Sequence, residues 1–425
     1  MWFSIDPLDV WLFREGKPFS AGEVFHAASV FPPSGRTMLG ALRATVLVRN
    51  GIAFREYHRE LRTGTTTPRI QEIVKRIGSA NDLGPLRARG PFVKRGDDVF
   101  FPMPLDLCFR RSKTVEYLTP RCAPLQIECS PFQGADGTQV KLPMLPFLRQ
   151  AATHEADRLL RGNQLQNYLW HEHVDVNDTV PAADLWQTEP RTGIKLGASR
   201  TAEEGMFYTV DFIRTAQDER ESTGLLLEVR GLEADELDAT GLIALGGERR
   251  AAAYRTHDKC PDALAAIREG TEIRDSLEGK KGFRLYLASP AVFPRNGWFP
   301  DFLKIKAPDD PPKVSLHGSK GVLKLKLVAA VVGKPIHQAG WDLVNRRPRA
   351  VRKAVPAGSV YYLRKIVGAL TSDDCELVMK IFHFTSLLRR DCSRLDARES
   401  ELSEDGKAGL GLSLVGCCSE RQGDV

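Results

Sequence analysis

Glycines cluster in the stretch EDGKAGLGLSLVGCC, residues 404–418, which runs directly into an apolar strand. Glycine-rich turns beside strands often bind phosphate groups. Gly409 and Gly411 fit the first two positions of a dinucleotide-binding GxGxxG fingerprint, but Leu414 stands at the third, and the predicted helix precedes the turn instead of following it. The turn is therefore interpreted either as a helix-to-strand connection or as a backbone cradle for a bound polynucleotide.

Basic residues are densest in WDLVNRRPRAVRKAVPAGSVYYLRK, residues 341–365, where seven lysines and arginines accompany a single acid, Asp342. Arginine binds phosphate bidentately, and the rings of Trp341, Tyr361 and Tyr362 could stack on unpaired bases. The segment is either a nucleic-acid contact surface or a solvated basic loop, and the interleaved aromatic residues favour the contact surface. The candidate RNA-binding residues here are Trp341, Arg347, Arg349, Arg352 and Lys353.

A helix N-terminus is predicted in FPPSGRTMLGALR, residues 31–43, where a serine N-cap follows two prolines. Arg36 and Thr37 fall on the first turn, where free N–H groups and the positive end of the helix dipole favour a bound phosphate. Arg43, two turns later, either contacts RNA or pairs with an acid. Gly40 either allows close approach of a backbone or permits helix–sheet packing.

Two more basic turns are candidates for RNA contact. RTGIKLGASR, residues 191–200, carries Arg191, Lys195 and Arg200 around two glycines. It predicts a basic β-hairpin or loop that reaches RNA, and the alternative is an ordinary insertion loop. GGERR places Arg249 and Arg250 beside another glycine turn.

The elements that must position these candidates follow a pattern that occurs twice. The first copy has a strand over 2–13, the helix after PPSGR, strands over 206–214 and 224–230, a short helix over 232–247, and a strand over 249–256. An insertion of about 52–200 interrupts it and includes a helical segment at about 145–170. The second copy has strands over 283–289, 323–332, 358–366 and 411–418, a helical piece near 297–305 and a helix over about 374–390.

Two copies of a βαββαβ order predict an α+β fold of tandem ferredoxin-like (RRM-like) domains. The predicted N-terminal domain is 1–260 with its insertion, and the C-terminal domain is 261–425, ending in the glycine-rich turn and the last strand. The second glycine turn then corresponds, by the repeat, to the turn at GGERR.

Composition excludes several protein classes. The chain has 425 residues, 42% of them apolar, and a net charge of only +6, so a basic surface requires clustering of the charges. The N-terminus MWFSIDPLDVWLFREG lacks the basic region and the apolar run of a signal peptide. No stretch approaches the ~18 apolar residues of a membrane-spanning helix. Eight cysteines without a CxxC pair indicate reduced thiols, and a cytoplasmic location is expected.

Six motifs resemble a known family. Two ferredoxin-like halves, each with a glycine turn before its last strand, look like the RAMP superfamily of CRISPR-associated proteins. FREGKPFSAGE (13–23) with FPPSGRTMLGALR (31–43) is similar to the opening of the third Cmr subunit family of type III-B CRISPR effector complexes. The matches that follow in the family's order are GPFVKRGDDVFFPMPLDL (90–107), RTGIKLGASRTAEEGMFYTVDFIR (191–214), LGGERR (245–250), GWDLVNRRPRAVRKAVPAGSVYYL (340–363) and GKAGLGLSLVG (406–416).

The resemblance implies a non-catalytic subunit without a cofactor that caps the 5′ handle of crRNA and docks against the large polymerase-like signature subunit. It also implies backbone RAMP subunits as partners, indirect contact with target RNA, and no membrane. The family's thumb-like element would lie at 191–200. Segment 376–405 fits the family less clearly.

The sequence shows no convincing active site, and one catalytic function is kept as an alternative. Some relatives in the superfamily cleave crRNA precursors with a histidine general base, and His26 lies in an N-terminal loop from which it could reach bound RNA. A metal-independent endoribonuclease that processes precursor crRNA is therefore the alternative function. His171 and His173 lack a third ligand at suitable spacing, so no metal is expected. A nucleotide-binding metabolic enzyme is disfavoured by the reversed order of helix and glycine turn.

Overall fold

The computed structural model describes most of the chain. The described residues are 1–16, 26–110, 117–118, 130–133, 139–142, 152–153, 157–171, 174, 179–196, 201–217, 221–307, 310–318, 320–342, 344–390 and 402–418. The helices among them are α1 (Gly35–Arg49), α2 (Phe54–Thr63), α3 (Pro68–Ile77), α4 (Gly162–His171), α5 (Asp262–Glu269), α6 (Thr271–Leu277), α7 (Ser372–Phe382) and α8 (Glu404–Lys407).

The described strands fall into two groups along the chain. Those before residue 260 are β1 (Trp2–Pro7), β2 (His26–Ala27), β3 (Arg87–Arg95), β4 (Asp98–Pro102), β5 (Cys108–Arg110), β6 (Tyr117–Leu118), β7 (Ser130–Gln133), β8 (Gln139–Leu142), β9 (Ala152–Thr153), β10 (Arg158–Arg161), β11 (Thr179–Pro181), β12 (Trp186–Leu196), β13 (Ala202–Thr215), β14 (Thr223–Arg230), β15 (Thr240–Ala244) and β16 (Ala251–His257). Those after it are β17 (Gly282–Leu287), β18 (Lys313–Gly318), β19 (Gly321–Val331), β20 (Ile336–Gln338), β21 (Trp341–Asp342), β22 (Arg347–Pro348), β23 (Arg352–Ala354), β24 (Val360–Lys365), β25 (Thr385–Ser386) and β26 (Leu412–Cys417).

Two large antiparallel sheets organise the described residues. The first has eight strands in the order β11-β10-β4-β3-β14-β1-β16-β15, and the second has six in the order β18-β19-β24-β17-β26-β25. The fold is therefore a mixed α/β arrangement with mostly antiparallel sheets, in agreement with the predicted α+β class. The finer interpretation, tandem ferredoxin-like domains with an insertion, stays a prediction, as do the domain limits.

The predicted helix after PPSGR is confirmed as α1. Ser34 is its N-cap, and the Ser34 hydroxyl accepts a hydrogen bond from the Thr37 N–H at 3.3 Å. Met38, Leu42 and Val46 recur at helical spacing and are buried. The helix begins at Gly35 beside the start of the glycine-rich turn, so its first residues are placed where the two sheets meet.

One predicted strand was assigned to the wrong sheet. The strand expected at 206–214 exists within β13, but β13 pairs with β12 and β2 in a separate three-stranded sheet. Its expected place beside β14 is taken by β3, inside the region predicted as an insertion. Arginines, a lysine and Gly90-Pro91 obscure the strand pattern of RARGPFVKR, although several residues of β3 are buried.

The helix predicted over 232–247 is wrong. Turns occupy the first part of this stretch, and β15 follows and pairs with β16. Ile243 is buried whereas Leu242 is 64% exposed, which is the alternation of an edge strand. Pairing with β16 therefore outweighs the helical capping suggested by the acidic residues.

Three other helix predictions differ from the structure. The chain near 297–305 forms turns, and the Asp301 carboxylate accepts hydrogen bonds from the N–H groups of Arg295 and Asn296 at 3.1 and 3.0 Å. The helix expected at about 145–170 is described only from Gly162, because 158–161 form β10 and 143–151 lie outside the described residues. Helix α7 ends at Phe382 instead of near 390, because His383 adopts an extended backbone.

A buried polar network joins residues from the two halves of the chain. Asp106, which is 1% exposed, accepts hydrogen bonds from the hydroxyls of Tyr168 at 2.7 Å and Tyr362 at 2.5 Å. The fully buried guanidinium of Arg284 lies over the Tyr168 ring, 3.8 Å from its centroid, and donates to the Tyr168 carbonyl. Burial raises the pKa of Asp106, and the charge of Arg284 with the two tyrosine hydroxyls opposes that shift. Because these residues come from both halves of the chain, the network couples their packing.

His383 is a partly buried polar group at a second junction. Its ring donates to the Ile267 carbonyl at 2.6 Å and accepts from the Val415 N–H at 3.2 Å, so the neutral ring is fully hydrogen-bonded between α5 and β26. Burial lowers the pKa of His383 from its usual 6.5 to about 4, although the hydrogen bond to the Ile267 carbonyl opposes that shift.

Acid should therefore destabilise the protein partly through His383. Between pH 6.5 and 4 the unfolded chain binds a proton that the folded chain does not, so the free energy of unfolding falls by about 1.4 kcal/mol per pH unit. Urea unfolding at pH 7 and pH 5 should show that His383→Gln loses about 2 kcal/mol less than the wild type over this interval. An equal loss in both proteins would contradict this role for His383.

Candidate nucleic-acid interface

The glycine-rich turn is buried against the N-terminal half. Gly409 has a φ of +83°, and a Cβ atom added there would lie 2.8 Å from the carbonyl oxygen of Gly90 in β3. The Gly409 N–H donates to Gly406 at 3.1 Å, and the Gly411 N–H donates to Pro290 at 2.7 Å. Because both donors are bonded within the protein, the geometry favours a sheet connection over a phosphate cradle at Gly409 and Gly411.

A cleft opens beside this turn. Its volume is about 320 Å³, within the usual range of ligand sites. Three predicted RNA-binding residues from different parts of the sequence line it: Arg36 from α1, and Arg349 and Arg352 from the basic segment. The other lining residues are Ser34, Asn81, Gln338, Ala339, Ala350, Glu404, Asp405 and Leu410. The structure thus brings together side chains that the sequence separates by more than 300 positions.

The cations of the cleft are held by hydrogen bonds. Asp405 accepts from Arg36 at 3.1 Å and bidentately from Arg352, with one contact at 2.9 Å. Arg349 donates to the Ala80 carbonyl at 2.9 Å and to the Asn81 side chain at 3.4 Å. Burial tends to raise the pKa of Asp405, but the hydrogen bonds and charges of Arg352 and Arg36 outweigh it and hold that pKa below its usual range.

Helix α2 extends the positive surface beyond the cleft. Arg55, Arg59 and Arg62 recur at i, i+4 and i+7 and so share one face over about 10 Å. None of the three pairs with a carboxylate among the described residues. Burial and the charges of Arg62 and Arg346 lower the pKa of His58, which shows that this face lies close to the basic segment. The helical spacing of these arginines is readable in the sequence, but the prediction of an insertion over 52–200 hides them.

The rest of the basic segment divides into exposed and buried residues. Trp341 is 52% exposed, and Arg347 and Lys353 are exposed. Tyr361 and Tyr362 are buried instead, because β24 is a central strand covered on both faces. They were expected to stack on bases, and this expectation is wrong for the structure described. The cations of this segment, Arg36 of the cleft and the α2 arginines are together called the basic strip. Its members are Arg36, Arg55, Arg59, Arg62, Arg346, Arg347, Arg349, Arg352 and Lys353.

The remaining α1 candidates have different surroundings. Arg43 donates to the Ser79 carbonyl at 2.5 Å and to the Tyr57 hydroxyl at 3.3 Å, so it fastens the loop after α3 instead of pairing with an acid. Thr37 is engaged with the Ser34 hydroxyl at the N-cap. Gly40 is exposed, and an added Cβ atom would meet nothing within 4 Å, so helix–sheet packing does not require a glycine there.

A second group of arginines lies at the base of the β12–β13 hairpin. The guanidinium carbons of Arg191 and Arg250 stand 4.8 and 4.7 Å from the ring centroid of Phe212. Acids compensate them, since Arg191 pairs with Glu189 at 2.6 Å and Arg250 with Glu248 at 2.7 Å. Arg249 is exposed in a turn with a φ of +51°. The side chain of Lys195 and all of Arg200 lie outside the described residues.

His26 lies on the same three-stranded sheet. Its ring is 2.8 Å from the Asp211 carboxylate, and 57% of its side chain is exposed. A carboxylate can orient an imidazole as a general base, so this pair keeps the endoribonuclease alternative open. Among the residues that the structure describes, no group of three or more His, Cys, Asp or Glu side chains could hold a metal ion. His173 falls outside them.

One family model matches most of the chain. The model of the CRISPR-associated protein family Cas_Cmr3 matches residues 3–387. No curated protein sequence gives a significant match. Two solved chains from cryo-EM structures of the type III-B Cmr-beta complex bound to cognate target RNA, one of them also with AMPPnP, are 13% identical and align over 85% of this chain and 86% of theirs, with TM-scores of 0.45 and 0.44. In the described part of the chain, no helix is long and apolar enough to cross a membrane.

Alanine substitution should have opposite effects on stability at Gly409 and Gly40. Gly409→Ala should lower the free energy of unfolding by about 1–3 kcal/mol, because its φ is positive and the Gly90 carbonyl blocks the new Cβ atom. Gly40→Ala should leave it unchanged or raise it by up to about 1 kcal/mol, because the site is open and helical. Urea unfolding of both variants checks this, and a tolerated Gly409→Ala would show that the turn is not a packing constraint.

Proposed function

This chain belongs to the CRISPR-associated Cas_Cmr3 family, the family of the third Cmr subunit of type III-B effector complexes, and we propose that it binds RNA as a structural subunit. Its role in this proposal is to cap the 5′ handle of the crRNA and to dock the large polymerase-like subunit. The observation that carries the proposal is the basic strip, in which Arg36 of α1 meets Arg349 and Arg352 around one cleft. Further cations of the segment 346–353 and of α2 lie beyond the cleft.

The proposed mechanism is electrostatic capture followed by stacking. Exposed cations such as Arg347 and Lys353 attract phosphates and release counterions from the RNA. The cleft holds arginines in fixed geometry for bidentate contact with a phosphate. Trp341, exposed on β21, offers a ring on which an unpaired base can stack.

The finer parts of the proposal concern fold and partners. The four strands β3, β14, β1 and β16 are neighbours in the first sheet, and β19, β24, β17 and β26 are neighbours in the same relative order in the second. This repetition supports tandem ferredoxin-like domains. The proposed partners are the large signature subunit and backbone RAMP subunits, with target RNA contacted through the crRNA. The subunit is proposed to act in the cytoplasm and without catalysing a reaction.

The His26–Asp211 pair supports one alternative, a metal-independent endoribonuclease. Cleavage of repeat RNA in the presence of EDTA, lost in His26→Ala, would favour that function over the structural role.

The RNA affinity of the full chain should depend on salt and on the basic strip. If about five phosphates are neutralised, a fourfold rise in salt weakens binding roughly 100-fold. Arg347→Ala combined with Lys353→Ala should flatten the slope of log affinity against log salt by about 1.4 and weaken binding roughly 20-fold at ~0.1 M salt. Fluorescence anisotropy with a labelled repeat-derived RNA measures both quantities.

A matched control removes the same charge elsewhere. Lys280 and Lys380 are exposed and lie outside the basic strip. Lys280→Ala combined with Lys380→Ala should leave the affinity and the salt slope near wild type. Equal losses in the two double variants, or binding that does not depend on salt, would refute the strip as the RNA site.

A further inference from the structure

Asp405 holds two arginines of the cleft at once. One carboxylate oxygen accepts from Arg36 at 3.1 Å and from Arg352 at 2.9 Å, and the other accepts a second hydrogen bond from Arg352. Proteins also bind phosphate groups in this way, with two guanidinium groups that converge on one anion. Asp405 therefore occupies the position in which an RNA phosphate would be bound by the same two side chains.

Within the described ranges, Asp405 is the acid that holds these two arginines. Among the described residues, Arg36 and Arg352 pair with no other carboxylate. The neighbouring Glu404 is engaged elsewhere, since it accepts from Lys407 at 2.8 Å, from Arg390 at 2.6 Å and from the Leu83 N–H at 2.7 Å. The Asp405 carboxylate lines the same open cleft, and 14% of its side chain is exposed.

We propose that Asp405 is an intramolecular stand-in for an RNA phosphate: it holds Arg36 and Arg352 ready in the free protein and is displaced by the phosphate of the bound strand. The inference rests on the proposed RNA-binding function and adds a control on it. Binding then requires an anion able to compete with a bidentate carboxylate, which a correctly placed phosphate of a polyanion does better than a small free anion. Asp405 thus lowers the affinity for RNA and raises the selectivity for RNA over small free anions.

Asp405 could also have the opposite effect on RNA binding. If Asp405 only positions the arginines, its removal lets both side chains swing away and binding weakens. The two roles predict opposite signs for the same variant. Asp405→Asn tests them directly, because it keeps the size of the side chain and removes its charge.

The experiment measures binding of a short labelled single-stranded RNA to the full chain by fluorescence anisotropy, at salt concentrations between about 50 and 200 mM. Asp405→Asn should bind about tenfold more tightly than wild type, equivalent to ~1.4 kcal/mol, with a steeper dependence on salt. Asp405→Glu, which keeps the charge, should bind like wild type. If thermal unfolding shows that Asp405→Asn does not fold, Asp405→Ser takes its place.

Asp238→Asn is the matched control for net charge. Asp238 pairs with Arg49 at 3.0 Å at the other end of α1, about 20 Å along the helix from Arg36. This variant gains the same single charge and should bind RNA like wild type. An equal gain in Asp238→Asn would assign the effect to net charge and overturn the inference.

A double variant tests the mechanism. In the Arg352→Ala background, Asp405→Asn should gain much less affinity than in wild type, because one of the two released arginines is absent. Unchanged or weaker binding in the single Asp405→Asn variant overturns the stand-in role alone. Failure of the wild type to bind RNA at all instead refutes the proposed function from which the inference starts.

Discussion

The close approach of three glycines determines how the two sheets meet. A Cβ atom at Gly35 would lie 2.0 Å from the Ala408 carbonyl oxygen and 3.1 Å from that of Gly90, and one at Gly409 would lie 2.8 Å from the Gly90 oxygen. The start of α1, strand β3 and the glycine-rich turn are therefore in backbone contact, with no room for a side chain between them. Because Arg36 follows Gly35 directly and Asp405 precedes the turn, this contact also brings together the charged groups that line the cleft.

The cations around that contact fall into two physical classes. Arg36, Arg349 and Arg352 are fixed by hydrogen bonds to protein groups, so little conformational entropy is lost when they bind a ligand. The remaining cations of the basic strip lack carboxylate partners among the described residues, so their field reaches outward over about a Debye length, ~8–10 Å. The fixed arginines would orient a bound phosphate, and the remaining cations would attract the RNA from a distance. In the hairpin group around Phe212, by contrast, nearby acids cancel most of the positive charge.

Local signals made part of this structure predictable. Helix α1 follows from a serine cap and apolar residues at helical spacing, and β24 and β26 follow from apolar runs near turns. Strand β3 was hidden because its inward residues alternate with arginines and lysine, and 232–247 was misread because strand pairing overrode acidic capping. The cleft itself was not predictable from local patterns, because it depends on long-range contacts. Asp405 lies 53 positions from Arg352 and 369 positions from Arg36. The arginine face of α2 is predictable from its helical spacing, but the region 52–200 is predicted as an insertion.

The basic strip is proposed to bind the 5′ handle of the crRNA. The most direct test is to purify the protein together with its neighbouring subunits, crosslink the bound RNA with ultraviolet light, and map each crosslinked peptide and nucleotide. If the proposal is right, the segment around Trp341 and helix α2 crosslink to nucleotides of the crRNA 5′ handle. Crosslinks from these residues that cluster on the guide portion, or an RNA that crosslinks only to the β12–β13 hairpin, would contradict it.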